Sequence, residues 1–461
     1  MTRHFFAVKS KLIIIFYLFI TFSLLANCES GNNPSESNKS SLLTHPAWSV
    51  NSTIYEVNVR QYTPEGTFKA FAQSLPKLNE MGIGILWFMP INPIGELNRK
   101  GSLGSYYSVK DYTAINPEFG TIEDFKTVVN QAHALGMHVI IDWVANHTSW
   151  DNVWTKTHPD YFKKDKNGNF VSPFDWTDVI SLDYNNKELW NSMRNAMKFW
   201  IEQCDIDGFR CDVAAMVPLE FWKWVRPQLD AVKPIFMLAE ANEPELHQAF
   251  DMTYNWQLKD LFVDCAKGYK NAEDFYKYYD KEKNEYPVDA YRMDFTSNHD
   301  ENTWNGTDKE RFGNAAEAFA VASALLPGMP LVYNGQEAGL DKRLLFFDKD
   351  LIDWKENKMR DIYTKLFHLK KENKALWNGA SGGEFQKITA GDQNIFAYVR
   401  EKDGNKIAAF FNFSALKKQI SVSDSKLEGT YKNLFTGMVI QLSSPYQLIL
   451  EPWSYQILIK I

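Results

Sequence analysis

The residues able to do chemistry gather in a few short stretches of this 461-residue chain. Gly208-Phe209-Arg210-Cys211-Asp212-Val213-Ala214 is an apolar run of the kind a buried parallel strand gives, yet it carries a guanidinium and a carboxylate two residues apart. Side chains at i and i+2 of a strand share a face, so Arg210 and Asp212 point one way while Phe209, Cys211 and Val213 point the other, toward packing. Such a pair is either a structural buried ion pair, which is rarely a net gain in stability, or a carboxylate kept ionised for work as a nucleophile or electrostatic stabiliser. Glu240 closes another apolar run, where alternation sets it on one face with Phe236 and Leu238. That desolvated setting raises a carboxylic acid's pKa, as a proton donor at neutral pH requires, whereas Asp212 beside Arg210 is expected to stay ionised. Two carboxyls with separated pKa values form an acid and a nucleophile, the requirement for breaking a glycosidic bond through an oxocarbenium-like transition state. A spacing of about 5 to 5.5 Å between them would give retention of configuration. A third carboxylate, Asp300, follows His299, and a second histidine, His147, follows Asn146.

Something must bring these stretches to one place. Short apolar runs near residues 54–59, 83–89, 138–144, 207–213, 235–241, 252–254, 293–297 and 331–333 alternate with amphipathic helical patterns, the signature of parallel β/α architecture. Eight such units predict a TIM (β/α)8 barrel, whose active site lies at the C-terminal ends of its strands, where His147, Asp212, Glu240, His299 and Asp300 all fall. About forty residues separate the third run from the next helix, so a small inserted subdomain is expected over about 148–186 within a barrel spanning 47–378. Beyond it, alternating patterns such as Ile395-Phe396-Ala397-Tyr398-Val399 indicate a C-terminal all-β sandwich over 379–461.

Composition narrows the function classes. A net charge of -7 and the absence of any Lys/Arg block exclude a nucleic-acid reading, and 15% aromatic residues suit both core packing and the stacking of flat ligand faces. Residues 1–27 read as an export signal, with Arg3, His4, Lys9 and Lys11 ahead of an apolar run too short for a comfortable membrane span. The run ends in Leu25-Ala26-Asn27-Cys28, similar to a bacterial lipobox, and 28–46 is a polar, flexible tether. The expected product is an exported lipoprotein, periplasmic or at the cell surface, held to the membrane by a lipid on Cys28 and otherwise monomeric. Three cysteines then remain, Cys204, Cys211 and Cys265, too few for a disulfide framework.

The motifs Asp142-Trp143-Val144-Ala145-Asn146-His147, Gly208-Phe209-Arg210-Cys211-Asp212, Ala239-Glu240 and Ser297-Asn298-His299-Asp300, in this order and on these strands, resemble those of the α-amylase family of retaining α-glucan hydrolases and transglycosylases. Residues 82–90 and Gly335-Gln336-Glu337 support the match. The resemblance implies Asp212 as nucleophile, Glu240 as general acid/base and Asp300 as the carboxylate that binds sugar hydroxyls and stabilises the transition state. It implies Arg210, His147 and His299 as substrate-site residues, with Tyr107 stacking on the reacting sugar and Asp142 structural. It implies no obligatory cofactor, but Asn146 and Asp183 match two side-chain positions of the family's calcium site. The Lys-His pair that many members carry after the nucleophile motif is replaced by Ala215-Met216, and Asp165-Lys166-Asn167-Gly168-Asn169 reads as a solvated turn. The expected substrate is an α-1,4-glucan such as starch, glycogen or a maltooligosaccharide. A transglycosylase, an oligo-α-glucosidase and a non-catalytic glucan-binding protein are the rival readings, the last disfavoured by the retention of both acid and nucleophile.

Overall fold

In the computed structural model, which describes residues 43–461, eight parallel strands close into a barrel. They are β1 (Ile54–Val57), β2 (Ile85–Phe88), β3 (His138–Trp143), β4 (Gly208–Cys211), β5 (Phe236–Ala239), β6 (Met252–Tyr254), β7 (Tyr291–Asp294) and β8 (Met329–Tyr333). Each overlaps the run expected for it. The export signal, Cys28 and the tether as far as residue 42 lie outside the described residues. Among the described residues no helix is long and apolar enough to cross a membrane.

Period-two alternation sorts the strand residues into two cores. Ile54, Ile85, Trp87, Ile140, Phe236, Leu238, Met252, Tyr254, Met293 and Leu331 fill the barrel interior. Tyr55, Leu86, Phe88, Val139, Ile141, Phe209, Cys211, Met237 and Ala239 face outward and merge with the apolar sides of the surrounding helices, among them Ile122–Ala134, Lys187–Cys204 and Leu219–Asp230. Burial on both faces is why parallel strands read as near-continuous apolar runs. Helix starts follow local chemistry: Thr121 and Asp124 form a reciprocal capping box before Ile122–Ala134, and the Asn186 side chain caps Lys187–Cys204.

Gly208 opens β4 at φ 155, and a Cβ built there would stand 1.8 Å from the Phe236 carbonyl oxygen. Only glycine lets β4 lie against β5 at this point. After β3 the chain leaves the barrel, and two short antiparallel strands, His147–Ser149 and Val179–Ser181, tie the inserted segment together at its base.

C-terminal to the barrel, β9 (Glu384–Lys387), β10 (Ile395–Lys402), β11 (Asn405–Asn412), β12 (Lys418–Val422), β13 (Gly429–Asn433), β14 (Val439–Leu442), β15 (Tyr446–Leu450) and β16 (Tyr455–Lys460) form two antiparallel sheets. The larger runs β9-β10-β11-β16-β13-β14, and β12 pairs with β15 alone. Ile395, Ala397 and Val399 point toward Ile420, Val422, Leu448 and Leu450 of the small sheet, whereas Phe396, Tyr398 and Phe411 point toward the barrel's helices.

Candidate active site

Asp142 of β3 and Arg210 of β4 are partners in the parallel register, so both side chains enter the barrel at one level. Arg210 is fully buried there. Its Nη1 lies 2.9 Å from Asp142 Oδ1 and 3.1 Å from Asp212 Oδ1, its Nη2 2.9 Å from Glu240 Oε1, and its Nε donates to the Tyr254 hydroxyl at 3.2 Å. One guanidinium thus carries three carboxyls, with the Trp87 ring 5.1 Å from its carbon. Arg210 is buried beneath the cleft, where its guanidinium holds and orients the three carboxyls.

Electrostatics differ from expectation. Burial pushes the Asp212 carboxyl well up, reinforced by the negative charge of Glu240, and Arg210 only partly opposes this. Burial also raises Glu240, with Arg210 and the Val213 N–H pulling the other way and Asp300 adding to the rise. Asp212 was expected to remain at ordinary ionisation with Glu240 alone raised. Both move upward because burial disfavours each anion and the single Arg210 cation only partly offsets it.

A second correction concerns Val213, expected to face the helices. Regular pairing stops at Cys211, and Val213 turns into the left-handed region at φ 38, lines the cleft, and donates its backbone N–H to Glu240 Oε2 at 2.7 Å. A β-branched residue rarely adopts that conformation. Here it aims an amide at the acid/base candidate.

The two histidines differ in charge. Burial pulls His147 down to about 4, so its ring is neutral, with Nε2 3.8 Å from Asp212 Oδ2. Burial also works against the His299 cation, but Asp300 and Glu56 outweigh it and raise His299 to about 9. The imidazolium places Nδ1 2.5 Å from Glu56 Oε1, Nε2 2.8 Å from the Tyr107 hydroxyl and 3.4 Å from Asp300 Oδ2. Tyr107 in turn donates to Asp142 Oδ2 at 3.0 Å, and Trp87 Nε1 donates to the same oxygen at 3.2 Å. Asp142 therefore fixes both Arg210 and Tyr107, more than the structural part expected of it.

These groups floor a cleft of about 550 Å³ whose lining includes Tyr107, His147, Asp212, Val213, Glu240, His299 and Asp300. Its wall residues are not among those expected. The Lys100–Asp178 ion pair, at 2.9 Å, joins the loop after β2 to the inserted segment beside Trp176. Trp304, Phe346 and Phe347 also line the cleft, with Trp304 Nε1 donating to Asp300 Oδ1 at 3.2 Å. Glu56 was also missed, although an acidic residue inside a buried four-residue strand is itself a signal. Trp304 stands four residues after Asp300, one helical turn on, and that spacing was the only hint of it.

Asn146 and Asp183 do come together in a cavity of about 300 Å³, but Lys163, Lys187 and Met216 line it with them. Asp183 Oδ1 already accepts the Asn185 backbone and side-chain amides at 3.1 and 2.8 Å. Calcium takes six to eight oxygens, of which the side chains of Asn146 and Asp183 supply only part, in a cavity also lined by Asn185, Glu220 and the two lysines. Asp165 accepts the backbone amides of Asn167 and Asn169 in an exposed turn. Cys204, Cys211 and Cys265 are buried free thiols.

A family model described as the α-amylase catalytic domain matches residues 32–181 and 164–383. The chain is similar to α-amylase 2 of Dictyoglomus thermophilum, 27% identical over 466 residues, covering 90% of this chain and 77% of that protein. It is similar in structure to the noncanonic maltogenic α-amylase AmyB of Thermotoga neapolitana, with TM-score 0.82, 32% identity, and coverage of 89% of this chain and 99% of that one. It also resembles the α-1,4-glucan:maltose-1-phosphate maltosyltransferase of Rhodospirillum rubrum, 27% identical over 362 residues, 70% of this chain and 51% of that enzyme.

Proposed function

This chain belongs to the α-amylase family of glucan-active glycosidases, and on that premise we propose that it hydrolyses α-1,4-glucosidic bonds in starch, glycogen or maltooligosaccharides through a covalent glycosyl-enzyme intermediate. The observation that carries the proposal is the layer in which Arg210 holds Asp212 and Glu240 on adjacent guanidinium nitrogens, at 3.1 and 2.9 Å, at the floor of the cleft. Two carboxyls on one guanidinium support the short spacing of a retaining enzyme.

The reactive form is the one with Glu240 protonated and Asp212 ionised, which Arg210 favours at Asp212 against the upward push of burial. An Asp212 oxygen attacks the anomeric carbon while Glu240 gives its proton to the departing glucosidic oxygen, so one C–O bond forms as the other breaks. Glu240 then takes a proton from an incoming water, whose oxygen displaces Asp212 and restores the starting state. Asp300, oriented by Trp304 and His299, accepts hydrogen bonds from ring hydroxyls that tighten as the sugar flattens. His147, neutral, and His299, cationic, offer donors to the same sugar, and Tyr107 presents its ring to it.

A glucan hydroxyl can replace water in the second step. The maltosyltransferase relative favours that second reading, and one assay separates the two. Incubation with maltoheptaose should release reducing ends steadily and yield only shorter sugars. Products longer than seven glucose units without net gain of reducing ends would replace hydrolysis by transfer, and unchanged but bound maltoheptaose would end both readings. The chain is further proposed to work outside the cytoplasm, anchored through a lipid on Cys28. Cys28→Ala should move it from the membrane to the soluble fraction, and unchanged membrane association would refute the anchor.

A further inference from the structure

At the N-terminal end of the barrel, opposite the cleft, three side chains converge that the proposed reaction does not use. His133 lies in the last turn of the helix Ile122–Ala134, His138 begins β3, and Asp207 immediately precedes β4. His133 Nε2 lies 2.7 Å from Asp207 Oδ2 and His138 Nδ1 lies 3.3 Å from Asp207 Oδ1, and one ligand atom from each of the three falls within 4.8 Å of the others. No other group of three or more His, Cys, Asp and Glu among the described residues meets that condition.

From this convergence we propose a structural site for a borderline divalent transition cation, typified by Zn²⁺, with His133, His138 and Asp207 as its protein ligands and water completing the shell. Tetrahedral zinc with bonds of about 2.0 to 2.1 Å sets neighbouring ligand atoms about 3.3 Å apart. The His138 Nδ1 to Asp207 Oδ1 separation already has that value, while His133 bonds the other oxygen of the same carboxylate, so the carboxylate must turn and the His133 contact open by roughly half an ångström for one oxygen to serve the ion. Two imidazoles and a carboxylate select zinc-like ions over calcium or magnesium. The surrounding groups hold the ligands in place. Val139 N–H donates to Asp207 Oδ2 at 2.7 Å, and the Trp48 indole stacks on His138 with centroids 3.8 Å apart and planes 12° from parallel. An open cavity of about 520 Å³, lined by Trp48, His133, His138, Asp205, Asp207 and Lys233, gives the ion a way in.

Lys233 is the competitor. Its ammonium stands 2.9 Å from Asp207 Oδ1 and also 2.7 Å from Asp205 Oδ1, a mostly exposed carboxylate that can keep it when the cation binds. Asp205 itself lies 3.5 Å from His133 Nδ1 and steadies the far side of that ring. The bound ion would cross-link the end of one helix, the starts of β3 and β4, and through Trp48 the segment before β1. Its effect is therefore on stability, as expected for this face of a barrel.

The test uses the full chain, stripped with a chelator, dialysed and titrated with ZnCl2 while Tm is followed. At about a hundred times Kd the Tm should rise by about 3 °C. The rise should vanish in His133→Ala and in His138→Ala, and appear at lower zinc in Lys233→Met. No zinc-dependent rise, or an equal rise in both histidine variants, overturns the proposal, the latter because the ion then sits elsewhere, for example on Asp212 and Glu240. Should a histidine variant fail to fold, cobalt(II) added to the parent chain decides. Intense visible bands of a four-coordinate ion support the site, and the weak bands of a six-coordinate ion overturn it.

Discussion

At the scale of single residues, the catalytic proposal turns on charges that burial disfavours. Asp212 is held in a desolvated site where its anion is costly, so replacing it by the neutral isostere removes both the nucleophile and that cost. Asp212→Asn should lower kcat by at least about a thousandfold while leaving Tm equal or slightly higher. Turnover near the parent rate would remove Asp212 from the mechanism, and a collapse in Tm would show that the carboxylate is mainly a structural partner of Arg210. His299 makes the opposite prediction. Its pKa rises from 6.5 to about 9 in the folded chain, so the stability its proton contributes is complete below about pH 6.5 and is lost as pH climbs through 9. The full contribution is on the order of 3 kcal/mol, because deprotonation removes the cation's attraction to Asp300 and Glu56. Tm of the parent should therefore decline between pH 7 and 9.5, and His299→Gln should lack most of that decline. Parallel curves for the two proteins would assign the decline to other groups.

At the scale of elements, β4 decides whether the carboxyl layer exists. Its position against β5 sets Arg210 under Glu240, and that apposition depends on Gly208, where any Cβ would strike the Phe236 carbonyl oxygen at 1.8 Å. Gly208→Ala should cost about 3 kcal/mol or more and should depress kcat in whatever folds, since Arg210 and Glu240 shift apart. A variant with parent Tm and kcat would show that the strand adjusts freely. This strand also shows what the sequence could reveal. The eight strands were legible because burial on both faces writes each as a short apolar run, and Asp212, Glu240, His147, His299 and Asp300 were legible because each closes or follows such a run. Val213 was misread because period-two alternation was carried past Cys211, where pairing ends and the backbone turns. The division of Arg210 among three carboxyls depends on register between strands distant in sequence, which no local pattern encodes. Trp304, Phe346, Phe347, Lys100 and Asp178 lie on irregular loops, where neither period applies and only the folded cleft gathers them.

At the scale of the whole molecule, the C-terminal sheets share the barrel's core. Phe396, Tyr398, Phe411 and Phe413 belong to one continuous apolar cluster with Phe275 and Phe319 of the barrel's helices, and Phe275 lies 5.1 Å from both Phe396 and Phe413. Polar groups cross the same boundary: buried Arg400 donates to the Leu325 and Leu326 carbonyls at 2.9 and 3.0 Å, and Ala397 exchanges hydrogen bonds with the Tyr276 hydroxyl. Separating the two parts would expose large aromatic faces to water and break these hydrogen bonds, which costs several kcal/mol. Within the described residues the barrel and its sheets form one compact unit. Calorimetry should accordingly give a single transition whose calorimetric and van't Hoff enthalpies agree. Phe396→Ala, by opening a cavity at the boundary, should lower that one Tm by an amount equivalent to about 3 to 5 kcal/mol without splitting the peak. Two resolved transitions in the parent would mean that the sheets fold independently and that the cleft gains no rigidity from them.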